Sequence, residues 1–176
     1  MEAKERKKRI EEMVADLESR NERRVIGALK RIPHEGSPEM VKPMFRLYLN
    51  HPSKEVRILL EKTVHNLKDP ASVDPMIDLL RDAEAKPIHK EVLNALWLSG
   101  LDVADELGLL VELAVNGDYM VALEVTTVIE NLEFDNDTDL TDAIARMDEA
   151  VQHKGEKQDL LVSLRQLLLD KLLGGQ

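Results

Sequence analysis

Histidine and the acidic residues are the side chains of this sequence that could hold a metal ion. The dipeptide His34-Glu35 offers an imidazole and a carboxylate, both of which iron accepts as ligands. An iron site needs several such groups converging on one point, so one dipeptide does not make a site. The remaining histidines have no adjoining glutamate: His51, His65, His89 and His153. The sequence therefore predicts no metal site at the histidines.

The acidic segment from Asp135 to Asp139 has the composition of the start of a calcium-binding loop. Such a loop requires glycine at its sixth position and a bidentate glutamate at its twelfth, where this chain has Leu140 and Arg146. The favoured interpretation is a polar linker, which supplies helix N-caps and places negative charge at the positive end of a helix beginning near Asp139.

Basic residues near the N-terminus could contact nucleic acid, but glutamates at positions 2, 5, 11 and 12 alternate with them. The chain also has only five aromatic residues and a net charge of −10, which oppose base stacking and phosphate binding. We therefore expect a solvated, salt-bridged helix face and no nucleic-acid partner. The basic residues concerned are Lys4, Arg6, Lys7, Lys8 and Arg9.

Helical periodicity runs along almost the whole chain, and no segment alternates as a strand does. Pro33 is expected to end the second helix, and Ser37 to cap the next one with Pro38 in its first position. Ser53 and Asp102 are read as further helix caps, Gly100 is read as a break, and a helix is expected to begin near Asp118. The last helix, 159–173, is expected to use one apolar face: Leu160, Leu164, Leu167 and Leu168.

The predicted fold is an all-α, α-α superhelix formed by a single domain over 1–176. It has about four helical hairpins, at 22–50, 53–84, 88–116 and 119–152. Capping helices at 1–20 and 157–173 close the two ends. Val64 and Ile129 are predicted to lie in the centre of the core, and Trp97 with Leu93 and Leu101 is read as a core residue rather than an interface anchor.

An internal repeat supports this reading. Val41–Leu49 and Val73–Arg81 share valine, proline, methionine and leucine at equivalent places, 32 residues apart. Pro43 and Pro75 are equivalent, and each is expected to remove one hydrogen bond and bend its helix. Helix pairs that recur at such a period stack, because one pair alone cannot bury its apolar face.

The segment from Asp69 to Asp82 resembles the consensus of the HEAT and HEAT-like (armadillo-type) repeats, and Pro52–Arg57 resembles the link into the following repeat. The likeness is good over 22–82 and weaker afterwards. Residues 97–132 are similar to small uncharacterised bacterial HEAT-repeat proteins. The resemblance implies a superhelix whose second helices line a concave face that grips a partner.

Some HEAT-like proteins are enzymes. One class hydroxylates a modified lysine at a di-iron site built from several His-Glu pairs on different repeats, whereas this chain has one such pair. HEAT-like DNA glycosylases need a basic groove with aromatic side chains, which the acidic second half of this chain opposes. We therefore expect no enzyme, no catalytic residue and no cofactor.

The predicted function is that of a non-catalytic scaffold or adaptor, which binds a protein or peptide on the second-helix face. The alternative is a HEAT-like enzyme or accessory lyase acting on a bound prosthetic group. The residues predicted to contact a partner face outward from the second helices: Lys42, Arg46, Asp74, Asp78, Arg81, Glu106, Asp142, Arg146 and Glu149.

Charge is divided unevenly along the chain. Residues 1–100 contain 19 Lys and Arg against 17 Asp and Glu, and residues 101–176 contain 5 against 17. This asymmetry permits a basic partner toward the C-terminal half, with Glu106, Asp142 and Glu149 as a shared acidic lining; a surface that only aids solubility is the alternative. Without cysteine, an export signal or a long apolar run, a cytoplasmic protein that does not bind membranes is expected.

Overall fold

The computed structural model describes residues 2–50, 52–135, 137–153 and 155–174, with the side chains of Glu2 and Glu35 outside that description. Within these ranges the chain forms ten α-helices, four short 3-10 segments and no strand, which confirms the predicted all-α fold. No helix of the described residues is long and apolar enough to cross a membrane. The helices are α1 Glu2–Leu17, α2 Glu22–Glu35, α3 Val41–Leu49, α4 Lys54–Val64, α5 Val73–Arg81, α6 His89–Ser99, α7 Leu107–Asn116, α8 Tyr119–Glu130, α9 Asp137–Ala150 and α10 Gln158–Gly174.

The helices group into two compact units. Unit 1 covers residues 1–101 and contains α1 to α6, whereas unit 2 covers 102–176 and contains α7 to α10. The predicted hairpin at 88–116 therefore has its first helix in unit 1 and its second in unit 2. The prediction of one domain over the whole chain stays a prediction.

In unit 1, the first helices of successive hairpins pack against each other, and so do the second helices. Helix α2 lies against α4, and α3 lies against α5, while α1 covers α2 and the start of α3. The interior between these layers is apolar, because each helix turns one stripe inward at a period of 3.6 residues. Phe45, Leu60 and Val64 are fully buried there, as are the repeat-equivalent methionines Met44 and Met76.

Three of the second helices are entered through a 3-10 turn, at Pro38–Met40 before α3, at Pro70–Ser72 before α5 and at Ala104–Glu106 before α7. The repeat seen in the sequence is thus also a repeat of local structure. Pro43 and Pro75 both occupy the third position of their α-helix. Each α-helix continues directly from the 3-10 turn before it, so the helical backbone begins several residues before the proline. The predicted loss of one hydrogen bond and the predicted bend therefore stay predictions.

The turn after α2 differs from its prediction. Pro33 lies inside α2, which continues to Glu35 and ends with the Gly36 N–H donating to Ile32 O. Proline has a helical φ angle, so two further residues can follow it near a helix end at the cost of one missing bond. Ser37 does precede the next turn, but its hydroxyl donates to Glu39 and makes no capping bond.

The end of α6 connects distant parts of unit 1. Gly100 has a φ of 64°, a left-handed conformation that glycine adopts without a Cβ clash, so it ends the helix as predicted. The Ser99 hydroxyl donates to Val64 O at 3.1 Å, and Lys68 Nζ donates to Ser99 O at 2.7 Å. Trp97 is half-buried beside the buried Leu93, so its assignment to the core holds only in part.

In unit 2, α7 packs against α8 and α9, and α10 packs against both α8 and α9. Val125, Ile129 and Met147 are among the side chains completely buried in its interior. Helix α8 begins beside Asp118, as predicted, and Asp118 caps it by accepting from Val121 N at 2.9 Å. Asp102, the predicted cap, accepts from Ala104 N at 3.0 Å, but Val103 occupies the N-cap position of the following 3-10 turn.

Helix α10 is rotated from its predicted orientation. It buries Leu161, Leu164 and Leu168, whereas Leu160 and Leu167 are only half-buried. Leucine occupies so many positions of this helix that the apolar pattern does not define one face. Packing on α8 and α9 selects the face instead.

Helix α9 begins two residues before its predicted start. Asp137 and Asp139 lie in its first turn, where their negative charge is favourable at the helix N-terminus. Asn136, in the middle of the acidic linker, lies outside the described residues, as does His51.

Candidate protein-interaction surface

The predicted contact residues of unit 1 lie on two neighbouring helices. Lys42 and Arg46 are on α3, and Asp74, Asp78 and Arg81 are on α5, which packs against α3. All are exposed except Lys42, which is half-buried. The prediction that these positions face outward therefore agrees with where the side chains lie.

One pair among them is joined directly. Lys42 Nζ donates to Asp78 Oδ2 at 2.7 Å and so links α3 to α5. This hydrogen bond, followed by the positive charges of Lys42 and Arg81, lowers the pKa of Asp78 below its usual value. Because both side chains are largely solvated, the pair contributes little to stability.

In unit 2 the predicted residues are spread more widely. Glu106 is half-buried in the 3-10 turn before α7, while Asp142, Arg146 and Glu149 are exposed on α9. On a helix, positions 142, 146 and 149 share one face.

A groove with a cavity volume of about 380 Å³ lies between α7 and α9. Val111 is fully buried in it, and Val115 and Ala150 are half-buried, so the floor of the groove is apolar. Glu112 and Glu149 are exposed on its rim, from opposite helices. We call this surface the α7–α9 groove; its remaining lining residues are Asn116, Arg146 and His153.

The groove contains part of the predicted set. It includes Arg146 and Glu149, whereas Glu106 and Asp142 do not line it, so the structure shows no shared acidic lining of Glu106, Asp142 and Glu149. Glu112 was missed by the sequence reasoning. A signal for it existed, because the inward positions 107, 110, 111 and 114 of α7 leave 112 facing outward.

Most described lysine and arginine side chains of unit 2 donate hydrogen bonds to backbone carbonyl oxygens. Lys157 Nζ donates to Ala114 O at 2.9 Å, to Val115 O at 2.6 Å and to Gly117 O, all at the C-terminal end of α7. Lys171 Nζ donates to Leu132 O at 2.7 Å and Glu130 O at 3.3 Å, at the end of α8. A cation at a helix C-terminus meets the negative end of the helix dipole and unsatisfied carbonyls.

The two arginines behave differently from each other. Arg146 Nη1 lies 3.5 Å from Gly108 O, across the α7–α9 groove, and Arg165 pairs with Asp148. Desolvation lowers the pKa of Lys157, and the nearby Asp118 carboxylate partly opposes that shift. Three of the four described Lys and Arg side chains of unit 2 thus donate to carbonyl oxygens, where they keep their positive charge. The unit is acidic because its 17 Asp and Glu outnumber its 5 Lys and Arg.

Within the described residues, no three His, Cys, Asp or Glu side chains are grouped so as to hold a metal ion. His34 is exposed in the last turn of α2, and the Glu35 side chain lies outside the description. Comparison with protein-family models, with curated proteins and with solved structures gave no match to this chain.

Proposed function

We propose that this chain is a non-catalytic protein-interaction module, which binds a basic segment of a partner protein in the α7–α9 groove. The observation that carries the proposal is the combination of an apolar floor with carboxylates on both rims. The half-buried Val115 and Ala150 offer contact to an apolar side chain, and Glu112 and Glu149 offer acceptors to lysine or arginine on either side of it.

Electrostatics support a basic partner. Unit 2 carries 5 Lys and Arg against 17 Asp and Glu, so its net charge is strongly negative even though Lys157 and Lys171 keep their positive charge where they donate to carbonyls. This negative charge accelerates the approach of a cationic partner, whereas the final affinity depends on contacts inside the groove. At physiological salt the screening length is about 8 Å, so charges in or beside the groove act most strongly.

The likeness to HEAT repeats and a cytoplasmic location belong to the same proposal. The likeness to HEAT repeats is supported by the 3-10 turn that opens α3, α5 and α7, together with the packing of α2 on α4 and of α3 on α5 within unit 1. Stacked helical hairpins of this kind commonly present their second helices to a partner.

The experiment starts with an affinity pull-down from the native cell and mass spectrometry, followed by association kinetics with the purified partner. Replacing Glu112 and Glu149 by lysine should slow association by about tenfold at low salt, with a smaller change at high salt. The matched control replaces Glu130 and Glu133, which are exposed outside the groove lining, and makes the same change in net charge.

If both double variants slowed association equally, only the overall charge would matter. If the Glu112→Lys, Glu149→Lys variant associated as fast as the unaltered chain, the groove would not be the binding site. Converting Glu106, Asp142 and Glu149 together to lysine tests the acidic set predicted from sequence. If the groove determines binding, most of the triple variant's effect should come from Glu149.

The alternative of an enzyme or accessory lyase with a prosthetic group is tested on the same purified protein. Iron, a chromophore or turnover with a candidate substrate would favour it over the module.

A further inference from the structure

A cavity of about 700 Å³ lies in unit 1, between the last turns of α2 and α4. This volume is in the range of sites that hold a ligand or several peptide side chains. Its floor is apolar, since Leu29, Ile32 and Met44 are buried and Leu59 and Leu67 are half-buried around it. The cavity therefore offers apolar contact to an incoming side chain.

Most polar groups that line this cavity are already used within the protein. The Thr63 hydroxyl donates to Leu59 O at 2.8 Å, and Asn66 Nδ2 donates to Lys62 O at 2.7 Å. Lys68 Nζ donates to Ser99 O, and Asp69 Oδ1 accepts from Ala71 N at 3.0 Å. These groups have bonds within the fold and are not the main candidates to recognise a ligand.

The amino groups of Lys30 and Lys62, which also line the cavity, are available to a ligand. Both side chains are exposed at the cavity, and neither amino group has a hydrogen bond or ion pair among the residues for which the structure gives side chains. The exposed imidazole of His34 lies at the same cavity. The groups available to a ligand are therefore mainly cationic or donating.

Other lysines of this chain bond to the carbonyls at helix C-termini, and Lys30 and Lys62 differ from them. Lys68, Lys157 and Lys171 reach the C-terminal carbonyls of neighbouring helices and donate directly to them. Lys30 and Lys62 also lie near helix C-termini, yet they make no such bond in the described part of the chain.

We infer that this cavity binds a peptide segment of a partner protein in which an apolar side chain lies between acidic side chains. The apolar residue would cover the accessible part of the floor, formed by Leu59 and Leu67, and its acidic neighbours would accept from Lys30 and Lys62. A small anion alone would leave this apolar surface exposed, and a purely apolar ligand would make no use of the two solvated amino groups. The positive charges of Lys30 and Lys62 and the apolar floor of the cavity together favour the acidic, partly apolar peptide.

This site goes beyond the function proposed above, because it lies in unit 1 and takes a partner of the opposite charge. If both sites operate, the chain joins an acidic segment to a basic one. Neither site requires the other, so each can fail separately.

The test measures fluorescence polarisation of a short labelled peptide of alternating glutamate and leucine added to the full chain. Replacing Lys30 and Lys62 by glutamate should weaken binding by about tenfold or more. The matched control replaces Lys54 and Lys90, which are exposed in unit 1 and do not line the cavity, and should bind nearly as the unaltered chain does. Circular dichroism of both variants verifies that the helices persist.

Two further peptides test the floor and the charge. A peptide with serine in place of leucine should bind about tenfold more weakly, and one with lysine in place of glutamate should not bind at this cavity. The Glu112→Lys, Glu149→Lys variant should not weaken binding of the acidic peptide, which separates this result from that of the α7–α9 groove.

Three outcomes would overturn the inference. Equal binding by the Lys30→Glu, Lys62→Glu variant and its control would show attraction to net charge only. Equal binding of the leucine and serine peptides would show that the floor is not used. Displacement of the peptide by inorganic phosphate at comparable concentration, or self-association of the chain that the double variant abolishes, would assign the cavity to a different occupant.

Discussion

The two units of this protein use their cations in different ways. Unit 1 has 19 Lys and Arg against 17 Asp and Glu, and several of its cations meet carboxylates. Arg24 pairs with Asp16 at 2.7 Å, and Lys42 with Asp78 at 2.7 Å. In unit 2, by contrast, Lys157, Lys171 and Arg146 donate to backbone carbonyls.

Net charge alone does not describe either surface. Unit 2 is acidic because its carboxylates outnumber its cations, and its described lysines are held at helix ends with their charge retained. Unit 1 is nearly neutral, yet the amino groups of Lys30 and Lys62, beside an apolar cavity, make no bond to the side chains that the structure describes. The units are therefore expected to attract partners of opposite charge, and the following predictions test how each unit is held together.

The largest expected effect comes from removing the end helix of unit 2. Deleting residues 159–176 removes Leu161, Leu164 and Leu168 from α8 and α9 and exposes apolar surface, so we expect aggregation or dimerisation. Size-exclusion chromatography with light scattering measures this.

Deleting residues 2–17 is the corresponding change in unit 1. Helix α1 buries Met13 and Leu17, fewer side chains than α10, so its loss should be milder. A well-behaved monomer after deletion of 159–176 would contradict the role of α10 as a cap.

Next in size are core truncations, one in each unit. Ile129 and Val64 are completely buried, which agrees with their predicted place in the core. Ile129→Ala should lower the free energy of unfolding by about 3 to 4 kcal/mol, and Val64→Ala by about 2 kcal/mol, through lost transfer energy and a residual cavity.

Denaturant melts measure both values, and Val162→Ala at an exposed site is the control. A change below about 0.5 kcal/mol for either core variant would mean that its environment is not tightly packed. Separate unfolding transitions for the two variants would show that the units unfold independently.

The carbonyl-binding lysines should matter less than the core. Lys157→Met leaves the carbonyls of Ala114, Val115 and Gly117 without their donor, so we expect a loss of about 1 to 2 kcal/mol. Lys171→Met should cost less, because Lys171 bonds two carbonyls. Thermal and denaturant melts compare the variants, and a larger loss for Lys171→Met would contradict a ranking by the number of bonded carbonyls.

The smallest effect is expected at the exposed Lys42–Asp78 pair of unit 1. The folded pKa of Asp78 is lowered below its ordinary value of 3.8, so the pair's contribution is present above that pH and disappears as pH falls through the folded pKa. A double-mutant cycle with Lys42→Met and Asp78→Asn, measured at neutral and acid pH, isolates this coupling. Coupling that is the same at both pH values would contradict an ionic origin.

Much of the fold is predictable from sequence. Ser53 accepts the backbone bond expected of a cap, α8 begins at Tyr119 beside the predicted start near Asp118, and Gly100 ends α6 in the left-handed conformation. These features depend on residues a few positions apart, which the sequence shows directly. The predictions for Pro33 and α10 were wrong because the local sequence signal was ambiguous in both places. Proline can occupy the last turn of a helix as well as follow it, and leucines occur on every side of α10.

The candidate sites were only partly predictable. The sequence identified Arg146 and Glu149 as outward-facing but missed Glu112, because a groove needs residues of two helices whose relative placement the sequence does not state. The cavity at Lys30 and Lys62 was missed entirely. Lysines near helix C-termini are common, and no local pattern separates those that bond carbonyls from those that do not.

The sequence was enough to predict an all-helical chain, most of the helix ends, many of the inward stripes and the division of charge, because helix formation depends on bonds and contacts within about four residues. The contact of Lys157 with Ala114, 43 residues earlier, and the position of Glu112 and Glu149 beside one groove became visible in the tertiary structure. Such contacts depend on how helices distant in the chain pack together, and packing is set by the fit of many side chains at once rather than by any local pattern.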